Sequence, residues 1–211
     1  MAADYLLRLA ALDQAEEFAA WLTPAERMRA DSLAVGPLRA RFIVSRGLRR
    51  QMLSACTGRP AQTLEFAEDG TTKPRLIGGD GWDFNLSHAG EHVTVAVRRG
   101  AVGIDLEYHR AVRDKAGIVC RYFHPDEARA WQCLPDSRQD SAFFQLWSAR
   151  EAAMKCAGLG LAQGISVTRV DPDILGSGAA MGRVGDRTLA INLLDAPKHC
   201  TLAVAISVAP D

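Results

Sequence analysis

The segment Gly103-Ile104-Asp105-Leu106-Glu107 sets two carboxylates two residues apart inside an apolar run. Alternate side chains of a strand share a face, so Asp105 and Glu107 project together while Ile104 and Leu106 enter a core. Two carboxylates on one face repel each other unless a cation lies between them. Magnesium takes hard oxygen ligands and keeps several waters, which suits such a pair. Further on, Trp147-Ser148-Ala149-Arg150-Glu151-Ala152-Ala153-Met154-Lys155 carries Trp147, Glu151 and Lys155 at intervals of four, the spacing of one helix face. Glu151 is a candidate third ligand or base there, and Lys155 a candidate phosphate contact. In Phe84-Asn85-Leu86-Ser87-His88-Ala89-Gly90 a hydroxyl and an imidazole end a strand beside small residues, where both can hydrogen-bond a phosphate. A serine-hydrolase pairing fits poorly, because adjacent side chains diverge and no G-x-S-x-G elbow surrounds Ser87. Arg41, Arg46 and Lys73, the last followed by Pro74, add cations suited to phosphate oxygens.

Each group alone also has an ordinary reading. These are the charged face of an edge strand, a surface Glu–Lys pair worth ~0.2–0.5 kcal/mol, a turn histidine and a solvated basic face. His92, His109, His124 and His199 form no metal-spaced cluster.

The elements that position these groups follow from periodicity. Asp13 to Ala34 mixes apolar and charged residues at roughly helical spacing. Within it, Thr23-Pro24-Ala25-Glu26 is a helix start with a capping box and proline in the first turn. A second helix is expected from Pro37 to Cys56, stopped by Gly58-Arg59-Pro60. Glu68-Asp69-Gly70 and Gly78 to Gly81 read as turns. Phe84 to Ser87, His92 to Val97 and Ala101 to Glu107 then read as strands of an antiparallel meander. Helices are expected over Val112 to Tyr122, from Pro125 and over Gln139 to Ala157, the last ended by Gly158-Leu159-Gly160. Ile165 to Val208 reads as strands, with turns at Gly176 to Gly178 and near Asp195-Ala196-Pro197. His92 to Val97 and His199 to Val204 agree at four of six positions, about half the chain apart. If real, that echo implies two similar lobes about a pseudo-twofold axis, with a ligand between them.

Composition narrows the class. The chain has 211 residues, 48% of them hydrophobic, and 25 basic against 25 acidic residues. That supports a sizeable core in one large or two small domains, and gives no sign of a nucleic-acid or polyanionic-membrane partner. The N-terminus lacks a basic region followed by an apolar one, so no signal peptide is expected. The apolar tail Cys200 to Pro210 is too short to span a membrane. Cys56, Cys120, Cys133, Cys156 and Cys200 are odd in number and form no C-x-x-C pair, which disfavours a disulfide framework and points to a reducing cytoplasm.

Together these segments resemble the 4′-phosphopantetheinyl transferase superfamily, specifically its larger, monomeric members of the surfactin-synthetase-activating type. The residues that carry the resemblance are the arginine-rich helix Arg41 to Arg49, Lys73-Pro74, the FNLSHAG segment, Gly-Ile-Asp-Leu-Glu and the Trp147 to Lys155 helix, over roughly residues 38–161. There are two departures: Ala89 replaces a common serine, and Arg150 replaces the usual lysine beside Glu151.

The resemblance implies an α+β fold of two similar lobes related by pseudo-twofold symmetry, like a fused pair of holo-acyl-carrier-protein synthases. The lobes would be 1–103 and 104–211, with the active site in the cleft between them. It implies coenzyme A as co-substrate and Mg2+, with Mn2+ as an alternative, held by Asp105, Glu107 and Glu151. Glu151, Lys155 and His88 would be catalytic, with Glu151 or a water as base. Arg41, Arg46, Lys73, Pro74, Ser87, His88 and Lys155 would hold coenzyme A. The partner would be an apo acyl or peptidyl carrier protein and the enzyme a cytoplasmic monomer, with neither nucleic acid nor membrane involved. Two other readings stand beside it: a magnesium-dependent nucleotide or coenzyme A pyrophosphohydrolase, and a non-catalytic carrier-binding relative.

Overall fold

Residues 4–68 and 73–208 are described by a computed structural model of the chain. The first strand, β1 (Leu6–Ala11), lies in a stretch with no strand expectation. The helical segment after it breaks into α1 (Ala15–Ala19) and α2 (Pro24–Asp31). The break falls at the expected cap. Thr23 Oγ1 accepts the Glu26 N–H at 3.2 Å, and Glu26 accepts the Thr23 N–H at 3.0 Å. Then comes α3 (Pro37–Thr57), ended by Gly58 at φ +70°, a left-handed cap that glycine adopts without strain. A two-stranded ribbon, β2 (Phe66–Ala67) with β3 (Arg75–Leu76), follows. Positions 69 and 70 of an expected turn lie outside the described residues.

β4 (Trp82–Ala89) and β5 (His92–Arg99) form the expected antiparallel hairpin. The third strand of the meander does not continue it. β6 (Val102–Tyr108) pairs instead with β10 (Cys200–Ser207), setting Asp105 opposite Ala203. The free edge of β5 is already covered by β1, in the order β1-β5-β4.

The second half continues with α4 (Lys115–Tyr122), α5 (Pro125–Gln132) and α6 (Asp136–Ala157). After them come α7 (Leu161–Gly164), β7 (Thr168–Val170), α8 (Ile174–Ser177), β8 (Ala179–Val184) and β9 (Arg187–Leu194). The second sheet runs β6-β10-β9-β8-β7. The turn expected at 176–178 is the end of α8, closed by Gly178.

The result is an α+β fold with two sheet-containing lobes, and strand alternation decides what faces what. Val93, Val95 and Val97 of β5 face the core that includes Leu48 and Leu53 of α3. Ala203 and Ala205 of β10 face the core that includes Leu146 and Ala149 of α6. The opposite faces meet between the sheets, where Ile104, Leu106, Leu202 and Val204 pack with Ala96, Leu7 and Leu9. The order through the molecule is therefore helix, sheet, sheet, helix, the layered burial expected of two one-sided sheets. The echoed segments fall on β5 and β10, each an interior strand with a long helix on its outer face.

Candidate functional site

β6, α6 and the end of β4 meet at one place. Ile104 and Leu106 are buried between the sheets, so the alternate residues Asp105 and Glu107 face the α6 side. Gly103 makes the approach possible. A β-carbon there would fall 2.0 Å from the Ala152 carbonyl oxygen and 2.3 Å from the Cys156 nitrogen. α6 therefore lies directly on β6, with Glu151 and Lys155 on the contacting turns.

Lys155 Nζ donates to Asp105 Oδ1 at 2.6 Å. Ser87 Oγ donates to the same oxygen at 3.3 Å and accepts from Lys155 at 3.4 Å. Glu107 has Arg110 at 3.6 Å. Ser87, His88, Asp105, Glu107, Glu151 and Lys155 together line a cavity of about 410 Å³. Burial first, then the charge on Asp105, pushes the Glu107 carboxyl up. Burial also raises Glu151; Lys155 opposes this, while Asp105 and Glu107 add to it. The three carboxylates thus share one electrostatic environment that favours an added positive charge.

Among the described residues, no three His, Cys, Asp or Glu side chains form a ready-made ligand cluster, and Lys155 holds one oxygen of Asp105. The donors nevertheless suit a hard cation. Asp105 Oδ2 is buried and has no hydrogen-bond partner among the described residues, and the cavity offers two further carboxylates of the type magnesium takes.

A second cavity, about 460 Å³, opens on the other side of His88 and is lined by Arg41, Phe42, Arg46, Pro74, Asn85 and His88 among others. His88 belongs to both cavities. Desolvation, then the charges of Arg41 and Lys155, holds its imidazole below the ordinary range. Among the described residues, Arg41 has a single long hydrogen bond, 3.5 Å to the Gly90 carbonyl. Arg46 is engaged by both oxygens of Glu68, at 2.5 and 2.7 Å. Glu68 also pairs with Arg49, whose guanidinium burial, followed by the charge of Arg46, lowers to about 10. Lys73 donates to Asp83 and, at 2.6 Å, to the Val102 carbonyl. It lines a small cavity with Lys155, Asn85 and Gly158.

The sequence-derived residues therefore gather along one trough, with Arg41, Arg46 and Pro74 at one end, His88 in the middle and the carboxylates at the other. Ser87 lines the carboxylate cavity and Lys73 the small cavity beside it, each with its polar group engaged by protein. Sequence reasoning missed Glu68, Arg110, Asp83 and Asn85. The polar alternation Asp83, Asn85, Ser87 along a strand was the available signal for the last two.

Arg150 points elsewhere. It is 2% exposed and donates to both oxygens of Glu127, at 3.0 and 2.7 Å, and to the carbonyls of Thr168, Tyr122 and Ile165. Consecutive helix residues face different directions, so Glu151 reaches the cavity while Arg150 ties α6 to α4, α5 and β7.

A fold of two sheet-containing lobes is consistent with a known class of protein. The family model described as the 4′-phosphopantetheinyl transferase superfamily matches residues 101–206. The chain belongs to that superfamily. It is 33% identical to the 4′-phosphopantetheinyl transferase HetI of a Nostoc species over 154 residues, 71% of this chain and 65% of that protein. It is 33% identical to the 4′-phosphopantetheinyl transferase psf-1 of Bacillus pumilus over 126 residues, 60% and 53% of the two chains. With AcpT of Salmonella typhi, also a 4′-phosphopantetheinyl transferase, it shares 29% identity over 66% of this chain and 70% of that one. The chain thus spans 65% and 53% of the first two relatives' lengths.

Proposed function

We propose that this chain transfers the 4′-phosphopantetheine group of coenzyme A to a serine of an apo acyl or peptidyl carrier protein, releasing adenosine 3′,5′-bisphosphate. The observation that carries this reading is the trough itself, which joins a cation-bearing cavity to a cluster of three carboxylates and a lysine through the shared His88. Membership in the superfamily supports it. Two sheets within one chain favour the larger, monomeric surfactin-synthetase-activating type, with lobes at 1–103 and 104–211.

Coenzyme A lies along the trough in this reading. Arg41 and His88 contact its phosphates, Pro74 lines its cavity, and Arg46 contributes once it exchanges Glu68 for the ligand. Ser87 in the carboxylate cavity and Lys73 in the small cavity beside it complete the contacts. Lys155 binds the pyrophosphate next to Asp105. The serine oxygen forms a bond to the pantetheine-side phosphorus, the pyrophosphate P–O bond breaks, and the nucleotide oxygen leaves with the electron pair. Glu151 accepts the serine proton, directly or through one water. Burial raises its proton affinity, the direction a general base needs. Lys155 supplies positive charge or a proton to the leaving oxygen. Asp105, Glu107 and Glu151 would hold Mg2+, or Mn2+, which neutralises phosphate charge when bound. A cytoplasmic location fits coenzyme A chemistry. No helix among the described residues is long and apolar enough to cross a membrane.

The test is the intact mass of a panel of apo carrier proteins incubated with coenzyme A, magnesium and the enzyme. A gain of one phosphopantetheine, abolished by chelator and by Glu151→Gln, is expected. Coenzyme A cleaved with no gain on any carrier would overturn the transfer reading in favour of a hydrolase. Coenzyme A bound but intact across the panel would leave a non-catalytic relative.

A further inference from the structure

β4 and β6 are edge strands of different sheets, and the chain joins them without backbone pairing. Asp83, Asn85 and Ser87 occupy alternate positions of β4, so their side chains share one face. Each accepts a backbone N–H of β6. Val102 N donates to Asp83 Oδ2 at 2.9 Å, Ile104 N to Asn85 Oδ1 at 2.8 Å and Leu106 N to Ser87 Oγ at 3.1 Å. The three rungs keep a constant offset of 19 residues. Val102, Ile104 and Leu106 are all buried, where an N–H needs a partner.

The outer rungs are tied further. Lys73 bonds both Asp83 and the Val102 carbonyl. Ser87 spends its one hydroxyl proton on Asp105, and its acceptor capacity on Leu106 and Lys155. The ladder thus sets the strand that carries Asp105 and Glu107 against the strand that carries His88. It does so beside the interface between the sheets, where Ile104, Leu106, Leu202 and Val204 make apolar, non-directional contacts and Arg98 of β5 donates to the Ser207 carbonyl of β10.

We propose that Asn85, the middle rung, is a positioning residue for the transfer reaction: by holding the Ile104 amide it fixes where the β6 carboxylates stand relative to His88 and Lys155. This rests on the functional reading above. Asn85 touches no reacting atom in that reading; it acts through β6.

The test compares Asn85→Ala with Asn85→Asp, which keeps the acceptor oxygen and places its charge beside Lys73 and Lys155. Amide exchange across Val102 to Leu106 is measured on the ligand-free full chain, with steady-state kinetics and the thermal unfolding midpoint on the same samples. For Asn85→Ala, exchange at Ile104 is expected to rise about tenfold relative to the β9–β10 amides, a local opening distinct from global unfolding. kcat is expected to fall about tenfold to a hundredfold, the scale on which a displacement of about 1 Å acts. KM for coenzyme A rises by less than kcat falls, since Asn85 lines the coenzyme A cavity but the Arg41 and His88 contacts remain. Asn85→Asp, which also brings a negative charge into the coenzyme A cavity that Asn85 lines, restores Ile104 exchange protection and recovers kcat at saturating coenzyme A, with a raised KM. Unchanged Ile104 exchange, a normal kcat in Asn85→Ala, or a loss that follows only the unfolded fraction would overturn the inference while an active wild type leaves the functional reading intact. A wild type that modifies no carrier would overturn the functional reading and the catalytic part of this inference, whatever the exchange data give.

Discussion

Gly103 lies so close to Ala152 that a β-carbon on it would stand 2.0 Å from the Ala152 carbonyl oxygen. The contact is backbone to backbone, so no rotamer change relieves it. Gly103→Ala is expected to push α6 off β6 and to destabilise by about 1–3 kcal/mol, the usual cost of overpacking. Because Glu151 and Lys155 ride on the displaced helix, transfer is expected to fall by more than the loss of folded protein explains. Denaturant unfolding and active-fraction-corrected kcat measure the two effects separately.

Arg41 and Arg46 differ in what they already hold. Arg46 is bound by both oxygens of Glu68, whereas Arg41 has one 3.5 Å bond to a carbonyl. Arg41→Ala is expected to raise KM for coenzyme A by roughly tenfold to a hundredfold, matching a charge-assisted hydrogen bond of ~1.5–3 kcal/mol. Arg46→Ala is expected to raise it less. Initial-rate kinetics with varied coenzyme A test the ranking, and equal effects would refute it.

Arg150 and Glu127 are an almost fully buried pair with 2.7 Å between charged atoms. Removing one partner strands the other, at a cost of ~3–5 kcal/mol. Arg150→Met and Glu127→Gln are both expected to lower stability on that scale. Arg150→Lys keeps the charge but lacks the planar fork that reaches five acceptors, so it is expected to fall between. Urea unfolding midpoints give the order.

Glu26 carries an acid-sensitive share of stability. Burial pushes its carboxyl up, but hydrogen bonds from Arg50 and the Thr23 N–H outweigh this and leave it below the ordinary carboxylate range. A group with a depressed folded pKa contributes stability that is complete above its unfolded value, 4.5, and is lost as pH falls through the folded value. The melting temperature of the wild type is therefore expected to drop more steeply below pH 4.5 than that of Glu26→Gln. Identical slopes would show that Glu26 does not contribute.

Local chemistry settled much by itself. The Thr23 cap, the span of α3, the β4–β5 hairpin and the shared face of Asp105 and Glu107 all follow from residue types within a few positions of one another, because capping, helical spacing and strand alternation are short-range effects. The expectation that His88, Glu151, Lys155 and the two β6 carboxylates belong to one site came from the family resemblance; in the structure all five line one cavity. The tertiary structure alone decided that β6 leaves the β4–β5 hairpin for β10, because the competing edge is covered by β1, from the far end of the same half. It alone decided that Lys73 is held by Asp83, Arg46 by Glu68 and Arg150 by Glu127. A charged side chain takes the nearest partner that compensates its desolvation. Those partners lie 10, 22 and 23 residues away in the chain, beyond the reach of any local pattern.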